Sequence, residues 1–281
     1  MILTGQLATW QYAKALLTMD EAYLLDVFCG AIWFDPMLVQ AAINGARAPA
    51  SHPALPLTPG QFADAAADVV RVGAGEVHLH VRGLDRFESL HSSAVARVIT
   101  AVRRACTVPL GISTGSWIEP DPDRRVALVS DWQVRPDFAS VNFDEPGAVE
   151  LARTLIELGV GVEAGLANVV AAQVLAGSGL LGRCLRVLLE PQDDQLAAAI
   201  ANVSLVEKVL AGLPERPSRL LHGTGPTVWP LLVLAKERGY DTRVGLEDTL
   251  HLPNGGLARD NAELMVAAFE LLGLKRLLIK R

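Results

Sequence analysis

Glu76-Val77-His78-Leu79-His80-Val81-Arg82 alternates in side-chain character with a period of two, the period of a β-strand. That period puts His78, His80 and Arg82 on one face and turns Leu79 and Val81 to the other. The same pattern of a short β-rich run, a polar or glycine-containing joint and a longer run of helical period recurs on both sides of this stretch, from about residue 37 onward. The candidate strands are 38–44, 76–82, 108–114, 138–143, 160–166, 184–190, 218–222 and 242–248. Eight strands alternating with helices over residues 37–281 match the usual size of an α/β (β/α)8 TIM barrel, roughly 250 residues. A doubly wound open sheet is the alternative, but no GxGxxG follows the first strand and no GxxxxGK[ST] occurs anywhere in the sequence.

Local signals support the helices. Thr58-Pro59 reads as a helix start, Asp260 as the N-cap of a helix over 261–272, and Gly73, Gly159, Gly182 and Gly239 as helix stops. No linker-like composition divides the repeat, so residues 37–281 read as one barrel domain. Residues 1–36 precede it as an N-terminal extension with a helical pattern around Tyr12 to Phe28.

The composition narrows the function. Among 281 residues there are 25 basic and 31 acidic groups, a formal net charge of −6, and 51% of residues are hydrophobic. Neither a disordered chain nor a basic nucleic-acid binder has that balance. Asp20, Glu21 and Asp26 interrupt the most apolar N-terminal run, leaving no stretch of about 18 residues to span a membrane and no secretory leader pattern. Cys29, Cys106 and Cys184 form no CxxC pair and read as buried thiols, so the expected location is the cytoplasm. Lysine occurs only at 14, 208, 236, 275 and 280, which leaves little room for amine chemistry at strand ends.

In a barrel, the side chains at the C-terminal strand ends converge on one mouth. Histidines two apart on a strand have Cα atoms about 6.6 Å apart, close enough for both imidazoles to reach one ion. A packing role for the pair is the competing reading. The last strand, Thr242-Arg243-Val244-Gly245-Leu246-Glu247-Asp248, places Arg243, Gly245 and Glu247 on one face and supplies a third candidate ligand in Glu247. Two histidines, one carboxylate and an open position are the composition of a catalytic zinc site, although an acidic pair before a helix can also be a cap. Ser113-Thr114-Gly115-Ser116, at the end of the third strand, offers hydroxyls and backbone N–H groups suited to a carboxylate or phosphate; a hydroxyl-capped turn is the plainer alternative. Asn142, Glu163, Glu190 and His222 lie near the ends of strands four to seven and read singly as network residues.

With these residues in place, the sequence resembles the beta-keto acid cleavage enzymes over essentially residues 37–272. The likeness rests on HLHVR (78–82) and RVGLED (243–248) in that order, with support from 41–46, 55–59, 112–115 and 261–264. The resemblance implies a TIM barrel that binds a divalent metal, usually Zn2+, through His78, His80 and Glu247. It implies Asp248 and Arg243 as the proton-transfer unit, and Ser113, Thr114 and Gly115 as the segment holding the substrate carboxylate. Arg82, Asn142 and Arg47 complete the expected substrate-contacting set. The implied reaction converts a beta-keto acid and acetyl-CoA, the co-substrate, to acetoacetate and a new CoA thioester, in a homo-oligomer acting on small molecules rather than nucleic acid or membrane. The Asp248 carboxylate, beside Arg243, is expected to keep a low pKa. This chain departs from the family in Arg47 after the first strand's glycine, in Glu190-Pro191-Gln192-Asp193-Asp194 where a glycine-rich loop is usual, and in Ser116 as the fourth residue of the turn. Arg47 and Glu190 are therefore candidates for recognising a charged substrate tail.

Two other readings fit an HxH strand in a barrel. A metal-dependent TIM-barrel hydrolase of amidohydrolase type also uses an HxH, but on the first strand and commonly with a bridging lysine. A non-catalytic metal-binding barrel would carry the same ligands without turnover.

Overall fold

The structure, a computed structural model, describes residues 37–274. The helical pattern expected around Tyr12 to Phe28, the extension 1–36, Cys29 and residues 275–281 lie outside the described residues. Strands β1 (Val39–Ala42), β2 (Glu76–Leu79), β3 (Leu110–Ser113), β4 (Phe138–Asn142), β5 (Gly161–Leu166), β6 (Arg186–Leu189), β7 (Ser218–Leu221) and β8 (Asp241–Val244) form one closed barrel in chain order. All neighbours are parallel, and β1 closes on β8 with Gln40 opposite Arg243. Each strand is followed by one helix: α1 (Pro59–Arg71), α2 (Ser92–Ala105), α3 (Pro122–Ser130), α4 (Ala148–Glu157), α5 (Val169–Ser178), α6 (Leu196–Ala211), α7 (Val228–Glu237) and α8 (Asn261–Leu272). This is the (β/α)8 barrel that the periodicity predicts.

The predicted helix starts are where the capping chemistry puts them. Thr58 and Gln61 close a capping box ahead of α1, with Pro59 in the first turn, and Asp260 Oδ1 accepts from Glu263 N at 2.8 Å ahead of α8. Gly182 is a correction: α5 stops at Ser178 on the left-handed Gly179, and Gly182 lies in a short 3-10 turn, Leu181–Arg183. The strands are shorter than their sequence patterns, because the paired ladder ends before the apolar run does.

Alternation along the strands sorts the two sides of the barrel wall. Ala41, Ile43, Val77, Leu79 and Ile112 face the helices in a continuous buried core, where each fully buried Val, Leu or Ile side chain contributes about 1.5–3 kcal/mol. The inward residues at the lower end of the barrel are charged. Glu163 accepts from Gln40 Nε2 and Arg186 Nε, both at 2.9 Å, and Arg186 also pairs with Glu76 and lies over the Phe138 ring. This paired layer plugs the barrel beneath the mouth; Glu163 is a network residue, but it sits early in β5, below the mouth, rather than near the strand end where the sequence reading put it.

Candidate metal centre and active site

His78 and His80 leave the end of β2 toward the barrel axis, their ring centroids 5.5 Å apart and edge-on. Register holds them there: Ala42 of β1 pairs with His78, and the Asn44 side chain both donates to His80 O (2.9 Å) and accepts from His80 N (2.8 Å). Across β1, the chain after β8 makes a tight turn in which Asp248 N and Thr249 N both reach Gly245 O, while Glu247 N bonds Ala42 O at 3.1 Å. A Cβ on Gly245 would sit 1.9 Å from Ala42 O, so only glycine lets this turn press against β1.

The turn corrects the sequence picture of β8. A strand running to residue 248 would aim Glu247 inward and Asp248 outward, yet β8 ends at Val244 and both carboxylates face the site. Glu247 Oε1 lies 3.3 Å from His80 Nε2, and Glu247 Oε2 lies 3.8 Å from His78 Nε2. His78, His80 and Glu247 each offer a ligand atom, all within 4.8 Å of one another, and theirs is the only such group found among the described residues. Glu247 Oε2, which faces His78 Nε2, is buried without a hydrogen-bond partner, a deficit that a bound cation there would relieve. The donors fit a divalent metal of the zinc type.

The charges are strongly coupled. Burial pushes the His78 imidazole down to about 3, against the Glu247 carboxylate. Burial acts the same way on His80, but Glu247 and Glu88 outweigh it and lift the group to about 9. Burial also opposes ionisation of Glu247, yet Arg243, His80 and His78 hold that carboxyl well below the usual range. Arg243 Nη2 bridges both acids, 2.9 Å from Glu247 Oε1 and 2.7 Å from Asp248 Oδ1, and its Nε reaches Asp248 Oδ2 at 3.3 Å. The expected low pKa of Asp248 does not hold: complete burial raises the carboxyl more than Arg243 and His222 lower it. A base raised toward the working pH is better matched to proton transfer than one held low.

His222, from the end of β7, lies 3.5 Å from Asp248 through Nδ1 and 3.7 Å from Glu190 through Nε2. Burial, followed by the Arg243 charge, pushes it down to about 4. An unfolded chain takes up this proton near pH 6.5 and the native site does not, so the sign is fixed: stability associated with His222 is complete above pH 6.5 and falls as the pH drops toward 4. Chemical denaturation at stepped pH is expected to show a loss of about 3 kcal/mol across that window from this group, absent in His222→Asn.

The other candidates divide. A cavity of about 690 Å3 at the mouth is lined by His78, His80, Arg243, Glu247 and Asp248 together with Ser113, Asn142 and Arg47. Arg82 is not among its lining residues; its guanidinium ties down Gly45 O (2.6 Å), Arg47 O (2.9 Å) and Arg86 O (3.3 Å). Thr114 also turns away, its hydroxyl donating to Ser140 O at 2.6 Å, and Ser116 N donates to Glu145 Oε2 at 2.8 Å. The carboxylate at this turn is thus the protein's own, while Ser113 and Ser116 are among the residues that line the cavity. Gly115 lies under the Trp117 ring.

Sequence reasoning missed Glu88, whose Oε1 is 2.6 Å from His80 Nδ1. Gly83, Leu84 and Asp85 between two short β-rich runs were a hairpin signal that could have brought it back beside β2, and the structure pairs Arg82 with Glu88 there. It also missed Trp117, and it counted Asn261 in the 261–264 likeness without giving it a role. The Asn261 amide joins α8 to both ends of the site, accepting from Leu246 N (2.8 Å) and donating to Ile43 O (2.9 Å).

Known proteins resemble this chain along most of its length. The chain is 24% identical over 257 residues to a 3-keto-5-aminohexanoate cleavage enzyme of Fusobacterium nucleatum, covering 82% of this chain and 89% of that one. It is 25% identical over 271 residues to a 3,5-dioxohexanoate:acetyl-CoA acetone transferase of Paraburkholderia graminis, covering 80% and 86%. Among solved structures, ObcA in a ternary complex with a C4-CoA adduct and oxalate superposes with a TM-score of 0.63 at 20% identity. That match covers 79% of this chain but only 64% of ObcA, and it speaks to the fold alone. The sequence profile of the beta-keto acid cleavage enzymes matches residues 36–275, which takes in the whole described barrel, and the chain belongs to that enzyme family.

Proposed function

We propose that the protein is a metal-dependent acyl-exchange enzyme that converts a beta-keto acid and acetyl-CoA to acetoacetate and the CoA thioester of the remaining fragment. The observation that carries this reading is the meeting of His78, His80 and Glu247 with the Arg243–Asp248 pair on one cavity. His78, His80 and Glu247 would hold the ion, which when bound supplies Lewis-acid stabilisation of charge on a keto oxygen.

Asp248 removes the proton on C2, between the two carbonyls, and Arg243 holds its two oxygens in place. His222, neutral and beside Asp248 Oδ1, adds no second cation to the pair. The C2 carbanion attacks the acetyl carbonyl of acetyl-CoA and releases CoA thiolate. The thiolate attacks the original 3-keto carbon, the C2–C3 bond breaks, and Asp248 returns its proton to the departing acetoacetate carbanion. Ser113 and Ser116 line the cavity, and their hydroxyls suit the substrate carboxylate. Purified protein loaded with zinc, given a panel of beta-keto acids and acetyl-CoA, is expected to form acetoacetate and a new CoA thioester; full activity after complete metal removal sinks the mechanism.

The position of HxH on β2, and the placing of the described lysines Lys208 and Lys236 on α6 and α7, weigh against a hydrolase with a bridging lysine and against Schiff-base chemistry. No described helix is long and apolar enough to cross a membrane, and the unpaired Cys106 and Cys184 support a cytoplasmic setting.

The cavity wall from β4 to β6 carries Asn142, Asp144, Glu145, Glu190 and Gln192. Burial, against the Arg243 charge, pushes Glu190 up to about 7, and a cation beside it would draw it back to the ionised form. Keto acids with a protonated amine on the tail are expected to show higher kcat/KM than neutral ones of equal length. Glu190→Gln should shrink that ratio about tenfold, ~1.4 kcal/mol. A preference for anionic tails would instead make Arg47 the selecting group.

A further inference from the structure

His80 is held by more than its backbone. Its Nδ1 lies 2.6 Å from Glu88 Oε1, with the two side chains 5% and 11% exposed. The indole Nε1 of Trp117 lies 3.2 Å from both oxygens of Glu88. The indole plane is tilted only 21° from the His80 ring, at 6.0 Å between centroids. Trp117 therefore meets the histidine twice, as a stacked ring and through the carboxylate they share. Glu88 lies eight residues beyond His80 in the segment after β2, and Trp117 comes from the loop after β3.

Gly115 completes the arrangement. A Cβ at that position would lie 2.2–2.5 Å from three carbons of the Trp117 ring, far inside van der Waals contact, so the glycine is where the indole is seated. This gives Gly115 a use that does not involve the substrate carboxylate. Trp117 itself is half exposed and lines the cavity, so it can be altered without opening the core.

We propose that Glu88 and Trp117 are a positioning pair for the metal centre: Glu88 fixes His80 with its Nδ1–H outward and its Nε2 toward Glu247, and Trp117, seated on Gly115, fixes Glu88. The inference rests on the metal-centre reading above. A carboxylate accepting from the remote nitrogen selects the ligand tautomer, orients the ring and raises its basicity. The indole N–H satisfies the carboxylate further while its ring keeps water from the imidazole face.

The test uses the full chain and zinc affinity measured by chelator competition, with the metal-free melting temperature as a parallel readout. Glu88→Gln should weaken zinc binding by about 10- to 100-fold with little change in metal-free melting, and should shift the visible absorption bands of the cobalt-substituted protein. Trp117→Phe keeps a ring but loses the donor, and should fall between wild type and Glu88→Gln. Gly115→Ala should displace the indole and reproduce the Trp117→Phe defect. Tryptophan emission that responds to zinc in wild type should lose that response in Trp117→Phe. Equal zinc affinities and equal cobalt spectra in wild type and Glu88→Gln overturn the positioning role. A wild type that binds no zinc overturns the metal centre and, with it, this pairing.

Discussion

Asp248→Asn should keep the metal and lose turnover, while His78→Ala and His80→Ala should lose both. Asparagine preserves the volume of a fully buried side chain and can still accept from Arg243 Nη2, which lies 2.7 Å from Asp248 Oδ1. It is not one of the three candidate ligands, His78, His80 and Glu247. What it cannot do is take a proton, and general-base contributions run at about 10²- to 10⁴-fold. Zinc stoichiometry after dialysis, paired with the rate of acetoacetate release, separates the two classes of variant. Asp248→Asn turning over at the wild-type rate would remove that residue from the mechanism; zinc retained at full stoichiometry by both histidine variants would remove the metal centre.

Arg243→Leu should have the largest effect on stability of any single change at the mouth. Arg243 is buried, and one nitrogen serves both Glu247 and Asp248. Removing it leaves two carboxylates facing each other out of water, and breaking a buried pair from one side costs about 3–5 kcal/mol. For a barrel of this size that corresponds to a drop of roughly 10 °C in Tm. The loss should shrink when zinc is added, since a cation at Glu247 neutralises one of the two stranded charges. The same melting temperature as wild type without metal would mean that the carboxylates are solvated or protonated rather than held by Arg243. Equal losses with and without zinc would mean that Glu247 is not a ligand.

The barrel was legible in the sequence because its wall is built on a two-residue period interrupted by capped helices. His78 and His80 kept one face because both lie at the end of β2 beside register-matched Ala42. The acidic pair was legible as residues but not as geometry. Had β8 continued to residue 248, Asp248 would have pointed to the helices; the turn at Gly245, pressed on Ala42 O, brings it into the site. Arg82 shares the face of the histidines in sequence, yet its long side chain reaches three backbone carbonyls that a strand pattern does not contain. Thr114 is diverted in the same way to Ser140 O.

Sequence alone determined the eightfold repeat, the inward face of the HxH strand and the donor types available at the mouth, because strand alternation and helix capping act between residues near in the chain. Tertiary structure alone decided that Arg243 is shared by two acids, that Asp248 is raised rather than lowered, and that Glu88 and Trp117 stand behind His80. Those outcomes depend on burial and on contacts between loops far apart in sequence, where no local period constrains which side chains meet.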